Sequence, residues 1–204
     1  ENIFKAGITR INISLDSLNK DKYFQITRGG HLDDVFGGIA AAEKAGFEPI
    51  KINAVVMKGF NDDEVLDFAK LAFKKPFQIR FIEIMPISEV NANQPEDFLP
   101  TNLLFDKICK HFQLEPLAGK KNKSDGPAKI YKVKGGRGEI GFINPISDHF
   151  CLTCNRLRLT ADGKLRACLL KAEEIDLRTA LNRHSDDDEL TGLIRQAISL
   201  KPEK

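Results

Sequence analysis

Three of the four cysteines in the sequence lie close together, and they are Cys151, Cys154 and Cys168. Thiolates are soft metal ligands, and in a reducing compartment grouped cysteines favour metal binding over disulfide bonds. The Asp162-Gly163 pair is a strong turn signal, so the chain is expected to fold back and bring Cys168 toward the other two cysteines. Three sulfurs fit either a cubane iron–sulfur cluster with one open iron or a zinc site that a fourth ligand completes.

Two residues are candidates for a fourth ligand beside the three cysteines. His149 would complete a structural zinc site of three cysteines and one histidine, in a module whose basic hairpin contacts nucleic acid. Cys109 is the other candidate, but its place in a predicted helix beside Ile108 favours a buried thiol.

Two arginines follow the cysteine pair directly. Arg156 and Arg158 are two residues apart in a predicted strand from residue 156 to 160, so we expect them to share one face. Guanidinium groups bind anionic substrates through paired, charge-assisted hydrogen bonds. They could equally offset the negative charge of a thiolate-bound metal, and both roles can hold together.

The elements before this region alternate between strands and helices. Strands are predicted near residues 11–15, 50–56 and 78–85. Asp33 and Asp34 are expected to open the first helix between them and Gly46 to cap its end, and Asn61 or Asp62 is expected to cap the next helix. Short connections in this order imply a parallel sheet. Each strand also has a polar face, which suits a barrel or half-barrel around a polar ligand better than the alternative, an open doubly wound sheet.

The regular alternation of strands and helices ends after Met85. A loop rich in Asn, Glu and Pro leads to a helix that Thr101 could cap, and then to a hairpin of residues 131–133 and 139–143 around a glycine-rich turn. The predicted fold class is therefore α/β, with a partial TIM-type barrel over 1–100 and an α+β cluster-binding region over 101–204.

Length and charge narrow the function classes. The 204 residues suffice for one large domain with a small appendage, and a formal charge of +2 argues against a bulk nucleic-acid or membrane binder. No apolar stretch is long enough to cross a membrane, so a cytoplasmic protein is expected.

The run from Phe150 to Leu169, with the pattern F-C-x-x-C-N-R-x-R-L-T-x-x-G-x-x-x-x-C-L, resembles the C-terminal motif of one enzyme family. That family is the GTP 3′,8-cyclases of the radical S-adenosylmethionine (SAM) superfamily, which act in molybdenum cofactor biosynthesis. Residues 11–17, 26–30, 51–53 and 80–86 resemble the same family in the same order. The similarity covers nearly the whole chain.

The resemblance implies a role for each candidate residue. SAM would contact Ser14, Met85 and Arg80, although Arg80 could instead form a structural ion pair. GTP would contact Lys51, for which Asp16 is a competing internal partner, and also Arg156 and Arg158. A [4Fe–4S] cluster would be held by Cys151, Cys154 and Cys168.

The resemblance also sets expectations for the reaction and its partners. The complete enzyme would use SAM and a second [4Fe–4S] cluster to join ribose C3′ of GTP to guanine C8, giving (8S)-3′,8-cyclo-7,8-dihydroguanosine 5′-triphosphate. Cyclic pyranopterin monophosphate synthase would act downstream, a homodimer is compatible with the family, and neither nucleic acid nor a membrane is implied.

The second cluster needs a further cysteine triad, which the sequence lacks. We therefore expect this chain to be the middle and end of such an enzyme, inactive alone. A different enzyme class remains open on the residues themselves, a barrel aldolase that uses Lys51 as a Schiff base.

Overall fold

The structure is a computed structural model that describes residues 2–87, 95–117 and 126–202. The chain divides into two compact units. Unit one comprises residues 1–85 and 94–148, and unit two comprises residues 86–93 and 149–204. No helix within the described ranges is long and apolar enough to span a membrane.

Unit one is built on a six-stranded sheet with the strand order β1-β2-β3-β6-β5-β4. Its strands are β1 (Ile11–Ser14), β2 (Ile50–Val56), β3 (Phe77–Glu83), β4 (Leu114–Pro116), β5 (Lys129–Val133) and β6 (Glu139–Ile143). Its helices are α1 (Asn2–Lys5), α2 (Lys20–Thr27), α3 (Leu32–Ala45), α4 (Val65–Lys74) and α5 (Thr101–Cys109).

The first three strands run parallel to one another, and β6 is parallel to β3. Strands β5 and β4 continue the sheet in the antiparallel sense. The predicted α/β fold with a parallel sheet is therefore confirmed, and so is the antiparallel hairpin after residue 130. The sheet is mixed because β5 and β6 are joined by a tight turn, whereas parallel neighbours need a crossover.

One face of the sheet holds the apolar core. Ile52, Ile79 and Phe81 are fully buried in a cluster that includes the apolar stripe of α4. Phe68 of α4 meets Phe81 edge to face, with ring centroids 6.1 Å apart. The alternation of β2 and β3 therefore sends these side chains to the helices and leaves their neighbours on the opposite face.

The hairpin turn between β5 and β6 packs against the end of α4. The Gly138 N–H donates to Ala72 O at 2.8 Å, and the Arg137 N–H donates to Phe73 O at 3.0 Å. A Cβ atom at Gly138 would lie 2.4 Å from Phe77 O, so only glycine fits this close backbone approach.

Three local predictions need correction. Strand β3 ends at Glu83, so Met85 follows the strand and is not part of it. Asn61 does not cap α4: the helix begins at Val65, and the Asn61 amide instead donates to Asp16 O and Val55 O. Thr101 is the first residue of α5 and makes no cap hydrogen bond, because Pro100 holds the cap position.

Unit two contains a small antiparallel sheet, with the order β7-β8-β9, and two helices. The elements are β7 (Arg158–Leu159), β8 (Lys164–Arg166), β9 (Glu174–Asp176), α6 (Leu177–Asn182) and α7 (Asp187–Ser199). Gly163, with φ 83°, makes the predicted Asp-Gly turn between β7 and β8. Strand β7 is shorter than the predicted strand of residues 156–160, and Arg156 lies before it.

Candidate functional site

The sheet of unit one brings polar side chains into two rows on the face opposite its helices. Strand register aligns Ser14 with Asn53, and Asn53 with Arg80. The neighbouring row aligns Asn12 with Lys51, and Lys51 with Gln78 and then Glu139 through β3 and β6. Three sequence candidates, Ser14, Lys51 and Arg80, therefore lie on one face, as the period-two pattern predicts.

Two cations of this face are deeply buried. Lys51 is 4 % exposed and Arg80 is 8 % exposed. Arg80 Nε donates to Gln78 Oε1 at 2.7 Å, and Gln78 Nε2 donates to Glu139 Oε2 at 2.7 Å. Burying charges costs free energy unless they have partners, so this chain of hydrogen bonds fixes the Arg80 side chain across the sheet.

Asn53 has an unsatisfied buried acceptor on this face, which indicates a place for a ligand. Its Oδ1 atom is buried and has no hydrogen-bond partner, although it lies between Ser14 and Arg80 in the register. An unsatisfied buried acceptor costs about 1–3 kcal/mol, so such atoms call for a partner. A ligand that carries N–H or O–H donors fits this face.

The carboxyl end of β1 is held by a separate set of hydrogen bonds. Asp16 accepts a bond from the Val55 N–H at 2.8 Å, and Asn61 Nδ2 donates to Asp16 O at 2.6 Å. Burial raises the pKa of the Asp16 carboxyl above its ordinary value, and the bond from Val55 opposes that rise. A carboxyl with a raised pKa beside predicted cofactor residues is a common property of functional sites.

Two buried carboxylates, missed by the sequence reasoning, hold the strand ends in place. Glu64 accepts hydrogen bonds from the Ser17 hydroxyl and from the N–H groups of Leu18 and Asn19, at 2.5–3.1 Å. Glu83, which is 1 % exposed, accepts from the backbone N–H groups at the start of α5 and after β6.

A charged residue at an apolar position of a strand was the available signal for Glu83. Its backbone donors belong to Thr101, Ile146 and Ser147, and the Ser147 hydroxyl also donates to it. Met85 follows two residues later and is half-buried, so Glu83 anchors the segment that carries this SAM candidate.

In unit two the three clustered cysteines form no disulfide bonds and are partly exposed. Cys151 and Cys154 lie at either end of a short 3₁₀ turn, and Cys168 follows β8. Among the side chains in the described ranges, no group of three His, Cys, Asp or Glu is close enough to hold a metal ion. The structure therefore places the cysteines on neighbouring segments of one unit without gathering their sulfurs.

The donor set still fits an iron–sulfur cluster in its chemistry. Three accessible thiols on adjacent segments are soft ligands, and basic groups lie beside them. Arg156 is exposed and Arg158 is half-buried. The expectation that they share a strand face is wrong for Arg156, which precedes β7, so its side-chain direction is not fixed by the strand pleat.

A cation from the other end of the unit reaches this region. Lys201 Nζ donates to Arg156 O at 2.8 Å and to Ala167 O at 3.4 Å, and it lies 3.9 Å from Cys154 Sγ. These contacts show that the chain after Cys154 and the chain before Cys168 lie side by side, as the Asp-Gly turn predicts.

Cys109 belongs to unit one and is exposed, so the expectation of a buried helix thiol is wrong. Partial desolvation, and secondly the Asp106 carboxylate, raise the pKa of this thiol. A raised pKa disfavours the thiolate that a metal ligand requires. His149 is exposed and forms no three-ligand group with the described cysteines.

Two protein-family models match the sequence of this chain. Residues 77–204 match the family model described as Molybdenum Cofactor Synthesis C, and residues 1–72 match that of the Radical SAM superfamily. The first match holds all the candidate residues of unit two together with Arg80 and Met85, and the second holds Ser14 and Lys51.

Two similar curated proteins are both called GTP 3′,8-cyclase. The protein from Moorella thermoacetica is 48 % identical over 198 residues, which are 97 % of this chain and 60 % of that protein. The protein from Thermodesulfovibrio yellowstonii is 45 % identical over 204 residues, which are 100 % of this chain and 62 % of that protein. The chain thus spans about three fifths of the length of these relatives. It belongs to the Molybdenum Cofactor Synthesis C family, with a Radical SAM superfamily segment in its first 72 residues.

Proposed function

We propose that this chain serves the GTP 3′,8-cyclase reaction of molybdenum cofactor biosynthesis, as the part that binds GTP and one [4Fe–4S] cluster and contributes to binding SAM. The observation that carries the proposal is the Cys151, Cys154 and Cys168 group with two arginines inside it, in a chain 48 % identical to a protein of that name. When bound, SAM and the clusters supply the radical chemistry that joins ribose C3′ to guanine C8.

The residues of unit one would bind and orient the cofactor. Ser14 and Arg80 lie in one register row, where a hydroxyl and a guanidinium suit the polar groups of SAM. Asn53, between them, offers its unsatisfied Oδ1 to a donor of the ligand. Met85 adds an apolar contact past the end of β3.

GTP would be held by cations. The Lys51 ammonium is buried on the polar face of the sheet, where it could donate hydrogen bonds to a phosphate group of GTP. Arg156 and Arg158 would add charge-assisted hydrogen bonds. Fixing a substrate at several points confines its reacting atoms to a productive geometry.

The wider parts of the proposal follow from the same reaction. We assign residues 1–100 to the SAM side and 101–204 to the cluster side. The product would pass to cyclic pyranopterin monophosphate synthase, a homodimer is the assembly to test, and a reducing cytoplasm would suit the thiol ligands.

Anaerobic reconstitution of the chain with iron and sulfide, followed by metal analysis and GTP titration, tests the proposal. We expect about four irons per chain, as one cubane cluster requires, and saturable binding of GTP. A control in which Cys151 is replaced by Ala should lose iron. Stoichiometric zinc in a colourless, iron-free protein would overturn the proposal in favour of a structural zinc module.

A further inference from the structure

Lys201 is a residue of unit two whose contacts are not used in the proposed function. It follows α7, and its N–H donates to Ile198 O at 3.1 Å, so the last turn of that helix sets the position of its backbone. Its ammonium donates to Arg156 O and Ala167 O, at 2.8 and 3.4 Å. These acceptors lie two residues after Cys154 and one residue before Cys168.

The same ammonium lies next to a candidate ligand atom, with Nζ 3.9 Å from Cys154 Sγ. A charged donor near a cluster sulfur favours the reduced state, because reduction adds negative charge. The two backbone contacts have a mechanical effect as well, since one side chain then links both segments that carry cysteines.

We infer that Lys201 is a positioning residue of the cysteine centre, which holds the Cys154 and Cys168 segments together and places a positive charge beside Cys154 Sγ. This inference rests on the proposed function, in which these cysteines hold a [4Fe–4S] cluster. Lys201 acts through the ligands and would not itself touch GTP or SAM.

The test compares Lys201→Met, Lys201→Arg and the control Lys171→Met in the full chain. Lys171 is an exposed lysine three residues after Cys168, so its loss changes the net charge equally without removing these contacts. Each protein is reconstituted anaerobically, its iron and sulfide are counted, and its potential is measured by redox titration followed by electron paramagnetic resonance. Far-ultraviolet circular dichroism checks the fold of each variant.

We expect Lys201→Met to disfavour the reduced cluster about tenfold, a downward shift of about 59 mV for a one-electron couple. Lys201→Arg should stay near the parent potential because it keeps the charge, and Lys171→Met should match the parent. A Lys201→Met protein with parent iron content and parent potential would overturn the inference.

The remaining outcomes are also decisive. If Lys201→Met holds no cluster, recovery of iron in Lys201→Arg supports the inference, and an equally empty Lys201→Arg overturns it. If the parent chain itself binds no iron, the proposed cluster is refuted and the role of Lys201 falls with it. A parent chain that binds iron alongside an unaffected Lys201→Met refutes the role of Lys201 alone.

Discussion

The half-buried carboxyl of Asp16 affects the stability of the fold and lies next to the proposed cofactor residues. Asp16 ends the run that carries Ser14, it accepts a hydrogen bond from Val55, and burial raises the pKa of its carboxyl. A carboxyl with a raised pKa in the folded state binds its proton more tightly there than in the unfolded chain. Its contribution to the free energy of unfolding therefore declines as the pH rises from about 3.8 through the raised pKa.

We expect Asp16→Asn to remove this decline, because an amide oxygen can still accept the Val55 N–H but carries no charge. The variant should match the parent in stability below pH 3.8, which is the ordinary pKa of the carboxyl, and exceed it near neutral pH. Urea unfolding of both proteins from acid to neutral pH measures the difference. A variant less stable than the parent at neutral pH would show that the charged carboxylate is favourable.

The two arginines after the cysteine pair allow a test of substrate binding at the residue scale. Replacing Arg156 and Arg158 together by Ala should weaken GTP binding roughly 100-fold, because two charge-assisted hydrogen bonds are lost. Iron content should remain that of the parent. Isothermal titration with GTP and an iron assay measure the two effects.

The matched control replaces Arg183 and Arg195, two exposed arginines of unit two, with the same change in net charge. The Arg183 guanidinium lies 3.7 Å from the Glu189 carboxylate, and such an exposed ion pair contributes little to stability. Equal GTP affinity in the double variant and the control would remove Arg156 and Arg158 from the substrate site.

At the scale of elements, the contact between the β5–β6 turn and the end of α4 depends on one missing side chain. A Cβ atom at Gly138 would meet three backbone oxygens at 2.4–2.6 Å, and backbone cannot yield cheaply. We expect Gly138→Ala to lower the free energy of unfolding by about 2 kcal/mol or more, as overpacking does. Gly37 in α3 has open space around it, so Gly37→Ala should instead raise it by about 0.5–1 kcal/mol.

Denaturant unfolding of the two glycine variants beside the parent measures both changes. Opposite signs support the packing argument, because the two substitutions add the same methyl group. If Gly138→Ala were as well tolerated as Gly37→Ala, the turn would not be held against α4 in solution.

The elements also show what sequence patterns can and cannot specify. The alternation in β2 correctly predicts that Lys51 shares a face with its polar neighbours, because the pleat alone decides this. The sequence pattern extends β3 too far, because Ile84 and Met85 continue its apolar run. The chain leaves the sheet at Glu83, whose carboxylate is bound by a donor 63 residues away in the sequence. Asn61 is similar in part, because one of its partners, Asp16, lies 45 residues away in the sequence.

For the candidate site as well, local sequence predicts the turn but not the long-range contact. The Asp162-Gly163 pair specifies the turn that aligns the two cysteine segments, because turn chemistry is local. The contact of Lys201 with those segments is not local: 45 residues separate it from Arg156, and an ordinary lysine after a helix carries no signal of it.

At the scale of the whole molecule, the division into two compact units predicts where cluster binding will be felt. A ligand that binds only the folded state stabilises the part whose folding creates its site. We expect loading with iron and sulfide to slow hydrogen exchange in unit two, at β7, β8 and the end of α7, while β1 to β3 change little. Mass spectrometry of chain prepared with and without the cluster measures this difference.

A uniform change across both units would show that they unfold together and would contradict this expectation. A chain treated with iron alone, without sulfide, is the control for protection that arises from adventitious iron.

The carboxylate of Glu83 also has an evolutionary consequence. It binds the chain where β3 ends, where α5 begins and again after β6, so each intervening stretch leaves and returns to one fixed point. Doubling the length of a stretch whose ends are fixed costs only about 0.6 kcal/mol. Relatives should therefore tolerate insertions and deletions between residues 85 and 100, while keeping an acceptor at position 83.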